Sequence, residues 1–487
     1  MKLFPIRGGI HPDYRKELSS ESPIVPLPLP ARLFIPLQQH IGAPAEALVA
    51  AGAYVRKGQL LARGRGPVSA AQHAPTSGTV EAITELPGTH PSGLPQPMIV
   101  LVPDGKDESA PLPDPIAAPF DAPPQAIRER VAQSGIVGLG GAAFPSAVKL
   151  GLGEQRPLDI LLINGAECEP YLTCDDRVMR EHADAVVDGA RLMAHALGAP
   201  SVVIAVEANK PEAIHILTCT AAPFPNVQVL AVPVQYPMGS ERHLVQAITG
   251  RETPAKRLTA DVGVVVHNVA TARAVHLAVR FGLPLTHRVV TVSGGAVREP
   301  KNIEAPIGTL LADLVAFCGG LAVEPRRLVS GGPMMGQPLR SLEVPLVKGT
   351  SGILALTAEE TAERPAGPCI RCGNCVSACP CGLVPVELAA LIRKDHLDRA
   401  AALGVQDCLS CGSCAWACPS HIPLVQYFNY AKGRLNADAL AQRKLEQTRT
   451  LAEAHKLRLE KAAAVKRAAA AAREAAAMSA NEEKVTP

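Results

Sequence analysis

Aromatic side chains are scarce in this chain: eight Phe, six Tyr and one Trp among 487 residues. So few flat rings leave little with which to stack nucleic-acid bases. The formal net charge of only +3 also lacks the basic footprint that a phosphate backbone demands. No stretch of 18 uninterrupted apolar residues occurs, so no membrane-spanning helix is expected. The first residues, MKLFPIRGGIHPDYRKEL, lack the apolar core of a secretory signal. A cytosolic chain is expected, one that meets any membrane through partners. Hydrophobic residues at 47% against charged ones at 19% exclude disorder as the general state, and the length calls for three to five domains. Cysteine is plentiful by contrast, with thirteen copies. In a reducing compartment that number argues for metal or redox chemistry rather than disulfides.

Eight of the thirteen fall into a phrase written twice, CIRCGNCVSACP at 369–380 and CLSCGSCAWACP at 408–419, offset by 39 positions. Each reads C-x2-C-x2-C-x3-C-P. In that pattern three close thiolates hold three corners of a cubane and the fourth ligates the other cluster. One [4Fe-4S] cluster is therefore assigned to Cys369, Cys372, Cys375 and Cys418, and the other to Cys408, Cys411, Cys414 and Cys379. Zinc is the alternative, but structural zinc takes separated ligand pairs and needs no second copy. Cys381 falls outside the spacing, and Trp416 is expected to pack beside a cluster. VPVELAALIRKDHLDRAAALG, between the phrases, reads as helix. Cys168, Cys174, Cys219 and Cys318 show no ligand spacing and are expected to be buried.

Clusters move single electrons and need a source. Gly138, Gly140 and Ala143 in GIVGLGGAAFPSAVKL spell G-x-G-x-x-A, yet PPQAIRERVAQSG before them reads as a helix, not the strand a dinucleotide turn requires. The glycines still permit close backbone approach to a phosphate or flat ring, and Lys149 adds a fixed charge. Next, DILLIN reads as a buried strand ending at Asn164 with Glu167 and Glu169 beyond it, DAVVDGARLMAHALG as an amphipathic helix, and PSVVIAVE as a second buried strand. Alternation of this kind builds a parallel sheet with its ligand at the strand C-termini.

Taken in order, GLGGAAFP, Lys149, INGAECEP, YPMGSER (236–242) and VHNVAT (266–271) resemble the flavin- and NADH-binding subunit of respiratory complex I. The whole chain to about residue 435 resembles, more specifically, the C subunit of the Rnf (also Rsx) ion-translocating ferredoxin:NAD oxidoreductases. The resemblance implies that Gly138, Gly140, Gly141, Lys149, Asn164, Glu167 and Asn268 contact FMN. It also implies that Phe144 and Glu169 position NADH, with Gly239 and Glu241 nearby. Leu139 stands where complex I relatives carry a basic residue, Ala143 where they carry glycine, and Ala166 where they carry an acid.

The implied fold is multidomain α/β. Residues 1–115 resemble the barrel-sandwich hybrid fold of biotinyl and lipoyl carriers, without an attachment lysine, and residues 116–286 form the FMN/NADH-binding-like α/β domain. Residues 287–345 resemble the β-grasp SLBB module, and 365–432 form the two-cluster ferredoxin domain. His11 and His73 read as structural. Residues 434–487 carry 11 basic and 7 acidic residues in an Ala-rich tail expected to be a mobile, partly helical arm.

The function so implied is a peripheral subunit on the cytoplasmic side of the bacterial inner membrane. Its partners are NADH and the other subunits of a membrane-bound Rnf/Rsx-type complex, with no nucleic acid. Electrons pass from NADH to FMN to two [4Fe-4S] clusters, or back, coupled to ion translocation. The alternative is an electron relay and assembly subunit that binds neither NADH nor FMN, which the departures at 139, 143 and 166 would suit.

Overall fold

The computed structural model describes residues 3–361 and 364–482. One compact unit comprises the chain up to Val386 together with Asp407–Val425; the other comprises Glu387–Gln406 and the chain from Gln426 onward. Among the described residues the architecture is mixed α/β with four sheets.

Residues 33–103 build the first module of the larger unit. A four-stranded antiparallel sheet, ordered Leu33–Pro36, Pro95–Pro103, Gly78–Pro87, Tyr54–Val55, accompanies a three-stranded sheet of Glu46–Ala47, Leu60–Arg63 and Gln72–His73. Alternating apolar residues turn inward, and Leu33, Ile35, Val55, Leu61, Val80, Ile99 and Leu101 form a single apolar core. His73 is buried there, and burial followed by the Lys348 charge lowers its pKa to about 3, which agrees with a structural imidazole.

The second module carries the parallel sheet. Its order is Val227–Val232, Ser201–Glu207, Ile160–Gly165, Val264–Asn268, with every pairing parallel. Continuous Val/Ile/Leu runs mark strands covered on both faces, and Leu161 and Ile163 face one apolar cluster while Ile160 and Leu162 face another. The expected helix forms at Ala183–Leu197. Gly189 in its middle is required by packing, because a Cβ there would lie 1.9 Å from the Ala272 carbonyl oxygen of helix Val269–Phe281.

Helix and strands of the third module are as expected at His287–Ser293, Lys301–Pro306 and Leu311–Phe317. The six-stranded sheet also takes in Arg327–Ser330 and Gln337–Leu339, and from outside 287–345 it recruits Ile24–Pro26 and Gly352–Leu356. Lys348, fully buried, joins the three modules. Its ammonium donates to Ala71 O at 2.6 Å and Gly135 O at 2.7 Å, and its backbone N–H to Gln39 Oε1 at 3.1 Å. Burial without a carboxylate lowers its pKa to about 7.

In the smaller unit the expected helix between the cysteine phrases is two helices, Pro385–Arg393 and Leu397–Ala402, parted where Asp395 takes φ 57°. Leu388, Leu391, Ile392 and Leu397 are buried. Instead of a partly helical arm, one helix runs Leu424–Glu482, as the strong propensity of its Ala, Glu, Lys and Arg residues favours; residues 483–487 of the expected tail lie outside the described residues. From Gly433 to Met478 its side chains are exposed almost without interruption. No helix among the described residues is long and apolar enough to cross a membrane.

Candidate functional site

At the carboxyl ends of the parallel strands, Asn164 and Asn268 are direct neighbours in register. Each side chain closes its own strand end. Asn164 Oδ1 accepts from Ala166 N at 3.0 Å while its Nδ2 donates to Gly239 O at 2.8 Å. Asn268 Oδ1 accepts from Ala270 N at 2.9 Å, capping the helix that follows, and its Nδ2 donates to Asp175 Oδ2 at 2.6 Å.

The glycine loop lies over Asn268. It follows helix Pro124–Gln133, so the strand that a dinucleotide turn requires is replaced here by a helix. Gly138 N donates to Phe144 O at 2.8 Å and closes the loop. Leu139, only 2% exposed, is turned inward; its N–H meets Thr271 Oγ1 at 2.9 Å and its carbonyl accepts from Arg288 Nη2 at 2.8 Å. Gly140 and Gly141 are exposed, and Phe144 is half-buried. A Cβ on Gly140 would sit 3.3 Å from Asn268 Cβ, whereas Gly141 needs glycine for its φ of 102° and opens onto free space. Ala143 adopts φ 48°, the left-handed region that favours glycine.

Glu167 and Glu169 are fixed by backbone donors. Glu167 Oε1 accepts from Asp175 N at 2.7 Å and Oε2 from Asp176 N at 3.2 Å, so this carboxylate satisfies the start of helix Cys174–Glu181. Burial, then the Glu167 charge, raises the Asp175 pKa to about 7. Glu169 accepts from Met334 N at 3.0 Å and Met335 N at 2.9 Å, and burial raises its pKa to about 7. Lys149 pairs with Glu241 at 2.9 Å, and Glu241 also accepts from Thr259 Oγ1 at 2.6 Å. Gly239 N donates to Cys168 Sγ at 3.2 Å.

Two residues with no motif hold this loop from beneath. Lys16 Nζ donates to the carbonyls of Glu167 (2.8 Å), Glu169 (3.0 Å) and Leu172 (2.5 Å). Lys210 Nζ donates to Ala166 O at 3.0 Å and to Glu207 Oε2 at 3.1 Å. Nothing in the sequence marks Lys16, which lies more than 150 positions from its acceptors. Lys210, three residues after Glu207 at a strand end, carries a faint signal.

The two cysteine phrases have the same backbone. Arg371 and Ser410 both take φ 57°, and Gly373 and Gly412 take 82° and 85°. Arg371 N approaches Cys369 Sγ at 3.4 Å, and Ser410 N approaches Cys408 Sγ at 3.3 Å. One short helix follows in each, Asn374–Ser377 and Ser413–Trp416. The chain before Cys369 is bound to the chain after Cys418, through Gly367 N to Ser420 O at 2.8 Å and Ser420 Oγ to Pro368 O at 2.9 Å. Burial raises the Cys375 thiol, and the nearby Cys418 and Cys372 charges add to that. Cys414 is raised by burial and then by Cys408, Cys411, Cys379 and, least, Cys375. Cys418 thus lies near Cys375, and Cys379 near Cys411 and Cys414, across the two phrases. Thiols that raise one another become thiolates together only around a cation, so the donor sets fit two cubanes. Cys381, pushed to about 12 by burial, belongs to neither set by spacing. Cys219 is exposed rather than buried, and Trp416 is 54% exposed.

The residues over the sheet fit a flavin in the same sense. Open glycine backbone, a half-buried aromatic ring, one ammonium group and amides at strand ends are what a planar heterocycle bearing a phosphate requires.

Residues 131–277 match the family described as the Nuo51 FMN-binding domain, 4–106 the RnfC barrel sandwich hybrid domain, 289–338 the SLBB domain and 368–422 the 4Fe-4S dicluster domain. The chain is 56% identical over 437 residues to the C subunit of the ion-translocating oxidoreductase complex of Rhodobacter capsulatus, covering 90% of this chain and 84% of that one. A Pseudomonas aeruginosa protein of the same name is 45% identical over 466 residues, 95% of this chain and 59% of its own. The C subunit of the proton-translocating ferredoxin:NAD(+) oxidoreductase complex of Clostridium ljungdahlii is 44% identical over 439 residues, 89% and 95% of the two chains. The domains matched are those of an FMN site and a pair of [4Fe-4S] clusters, and these are the cofactors of this chain.

Proposed function

The chain belongs to the family of C subunits of ion-translocating oxidoreductase complexes, and from that premise we propose that it is the subunit at which NADH exchanges electrons with the complex. Bound there, FMN would supply the conversion of a two-electron hydride donor into the single electrons that a cubane carries, the hydride's proton passing to solvent. In this reading Gly140 and Gly141 give the flavin ring a flat, unobstructed approach, Lys149 balances its phosphate, and Asn164 and Asn268 present amides to it. Gly138 shapes the loop, Glu167 fixes the floor, and Phe144 and Glu169 hold the nicotinamide, with Gly239 and Glu241 beside it. Cys369, Cys372, Cys375 and Cys418 hold one cluster and Cys408, Cys411, Cys414 and Cys379 the other. The partners are the remaining subunits of an Rnf/Rsx-type complex, met on the cytoplasmic face of the bacterial inner membrane, with ferredoxin:NAD oxidoreduction as the overall reaction.

The observation that carries the reading is the glycine loop with its half-buried Phe144, standing over the carboxyl ends of the parallel strands in the same compact unit as all eight thiols. A second reading, a relay that NADH does not serve, gains from Glu169, whose two oxygens are already taken by Met334 and Met335. Anaerobic titration of the FMN- and cluster-loaded chain with NADH separates the two. Flavin bleaching together with cluster reduction is expected, and clusters that answer dithionite but not NADH would establish the relay.

A further inference from the structure

The two clusters are not equivalent in this fold. Among the described residues, most contacts that tie a cysteine phrase to the flavin module fall on one ligand set, with Ala417 beside Cys418 the exception. Tyr236, 0% exposed, donates its hydroxyl to Cys411 O at 2.7 Å. His243 Nε2 lies 2.9 Å from Pro380 O, next to Cys379. Gly9 N donates to Ala378 O at 3.0 Å, and Gly8 is so close that a Cβ would lie 2.6 Å from the Cys379 carbonyl. Ile10, Cys168, Tyr236, Ala378 and Cys411 form one apolar cluster, with Met334 packed on it. Met334 touches the second phrase, since a Cβ on Gly412 would sit 3.2 Å from its Cε, and its N–H is the one held by Glu169. The flavin-side loop and the Cys411 segment therefore share side chains directly.

The other set is the more open of the two, although Cys375 and Cys418 share the intermediate exposure of Cys408. Cys369 and Cys372 are exposed, whereas Cys379, Cys411 and Cys414 are buried. Beside the exposed pair, Ile370 is 66% exposed, and Val376 and Trp416 next to Cys375 and near Cys418 are also open.

We infer that the cluster of Cys379, Cys408, Cys411 and Cys414 is the inner one, exchanging electrons with the flavin. The cluster of Cys369, Cys372, Cys375 and Cys418 is the outer one, meeting a partner protein's own one-electron centre at the Ile370–Trp416 face. Tyr236 is the positioning residue that seats the inner cluster on the flavin module. Each transfer between clusters moves one electron and no atoms, and the proton left as the reduced flavin gives up its electrons passes to solvent, so the sequence flavin, inner, outer, partner balances. The inference rests on the flavin site proposed above but not on NADH as the donor.

The test uses the full chain loaded with FMN and clusters, as wild type, Cys372→Ser and Cys414→Ser. A soluble dysprosium chelate added to dithionite-reduced protein should speed EPR relaxation of the cluster left in Cys414→Ser several-fold, and leave the one in Cys372→Ser nearly unchanged. The reverse pattern would overturn the assignment. Under NADH, the cluster kept by Cys372→Ser should reduce at least tenfold faster than the one kept by Cys414→Ser. If wild-type clusters ignore NADH altogether, the NADH reading fails while the relaxation result still decides the order. Should either cysteine variant fail to fold, Tyr236→Phe in the two-cluster protein decides: one cluster's midpoint potential is expected to move and the other to stay. Equal shifts, or none, would refute the seating role.

Discussion

Replacing Lys210 by Met should cost about 4 kcal/mol at neutral pH, and the cost should shrink in acid. Glu207 is 0% exposed, and its Oε1 has no hydrogen-bond partner among the described residues even with the lysine present. At 3.1 Å the pair attracts by about 5 kcal/mol at an effective dielectric of 20, which desolvation of both ions largely offsets. Removing the cation alone leaves the offset without the attraction. The carboxylate escapes by taking a proton, which limits the damage. From an ordinary value of 4.5, staying neutral at pH 7 costs about 1.36 × 2.5, or ~3.4 kcal/mol. Loss of the donor to Ala166 O adds about 1 kcal/mol. At pH 5.5 the first contribution falls to about 1.4 kcal/mol. Adding Glu207→Gln to the lysine variant should return more than half the loss. Because a chain of several modules does not unfold in one step, the assay is amide hydrogen exchange in the Ser201–Glu207 strand and residues 166–172, at both pH values, supported by thermal scans. A cost under 1 kcal/mol, or one independent of pH, would refute the reasoning.

Three further outcomes are expected. Cys379→Ser, though in the first phrase, should abolish the cluster of the second phrase and lower bound iron from about eight to about four per chain, measured by iron assay and EPR. Ala143→Gly should be neutral to stabilising by up to about 1 kcal/mol, because the residue already holds a left-handed φ; flavin retention and melting temperature check it. Lys348→Met should change the pH dependence of stability in one window. With a folded pKa of about 7 against 10.5, the unfolded chain binds the extra proton between those values, so this lysine makes stability rise with pH there. The methionine variant lacks that rise, on the order of 4–5 kcal/mol in full, as melting curves between pH 7 and 9.5 would record.

What the sequence makes legible is local. A cubane needs three thiolates within a few residues, so the spacing of Cys408, Cys411 and Cys414 reports the chemistry directly. The runs DILLIN and SVVIAV carry their strand identity in composition. Long-range pairings leave no such trace. Tyr236 looks like any tyrosine until its hydroxyl is found on Cys411 O, 175 positions away, and Lys348 is one lysine among many until two modules close over it. The strand Gly352–Leu356 escapes pattern reading because GILAL is too short to distinguish strand from buried helix. Cys219 departs from the expected burial because its helix, Pro211–Ala221, turns that position to solvent, which periodicity on a mostly apolar helix does not reveal.

The 166–172 loop shows why distant residues had to matter. A loop that leaves the end of a buried strand cannot continue the ladder, so its carbonyls need other partners or they cost free energy. Ammonium groups meet that need: Lys16 has three donors and places them on three carbonyls, and Lys210 covers a fourth. Lys210 is buried and Lys16 half-buried, and loss of solvent, the largest influence on Lys16, lowers its pKa. The Glu167 and Glu207 charges favour the protonated form of both. Lys16 comes from the opening segment of the chain, whose Tyr14 carbonyl also accepts from Tyr171 N at 2.7 Å. That segment consequently belongs, physically, to the flavin module rather than to the β module that follows it in sequence. Deleting it would remove three of the four carbonyl anchors and the Gly9 contact to the inner cysteine set at one stroke, so flavin retention and inner-cluster potential should respond together.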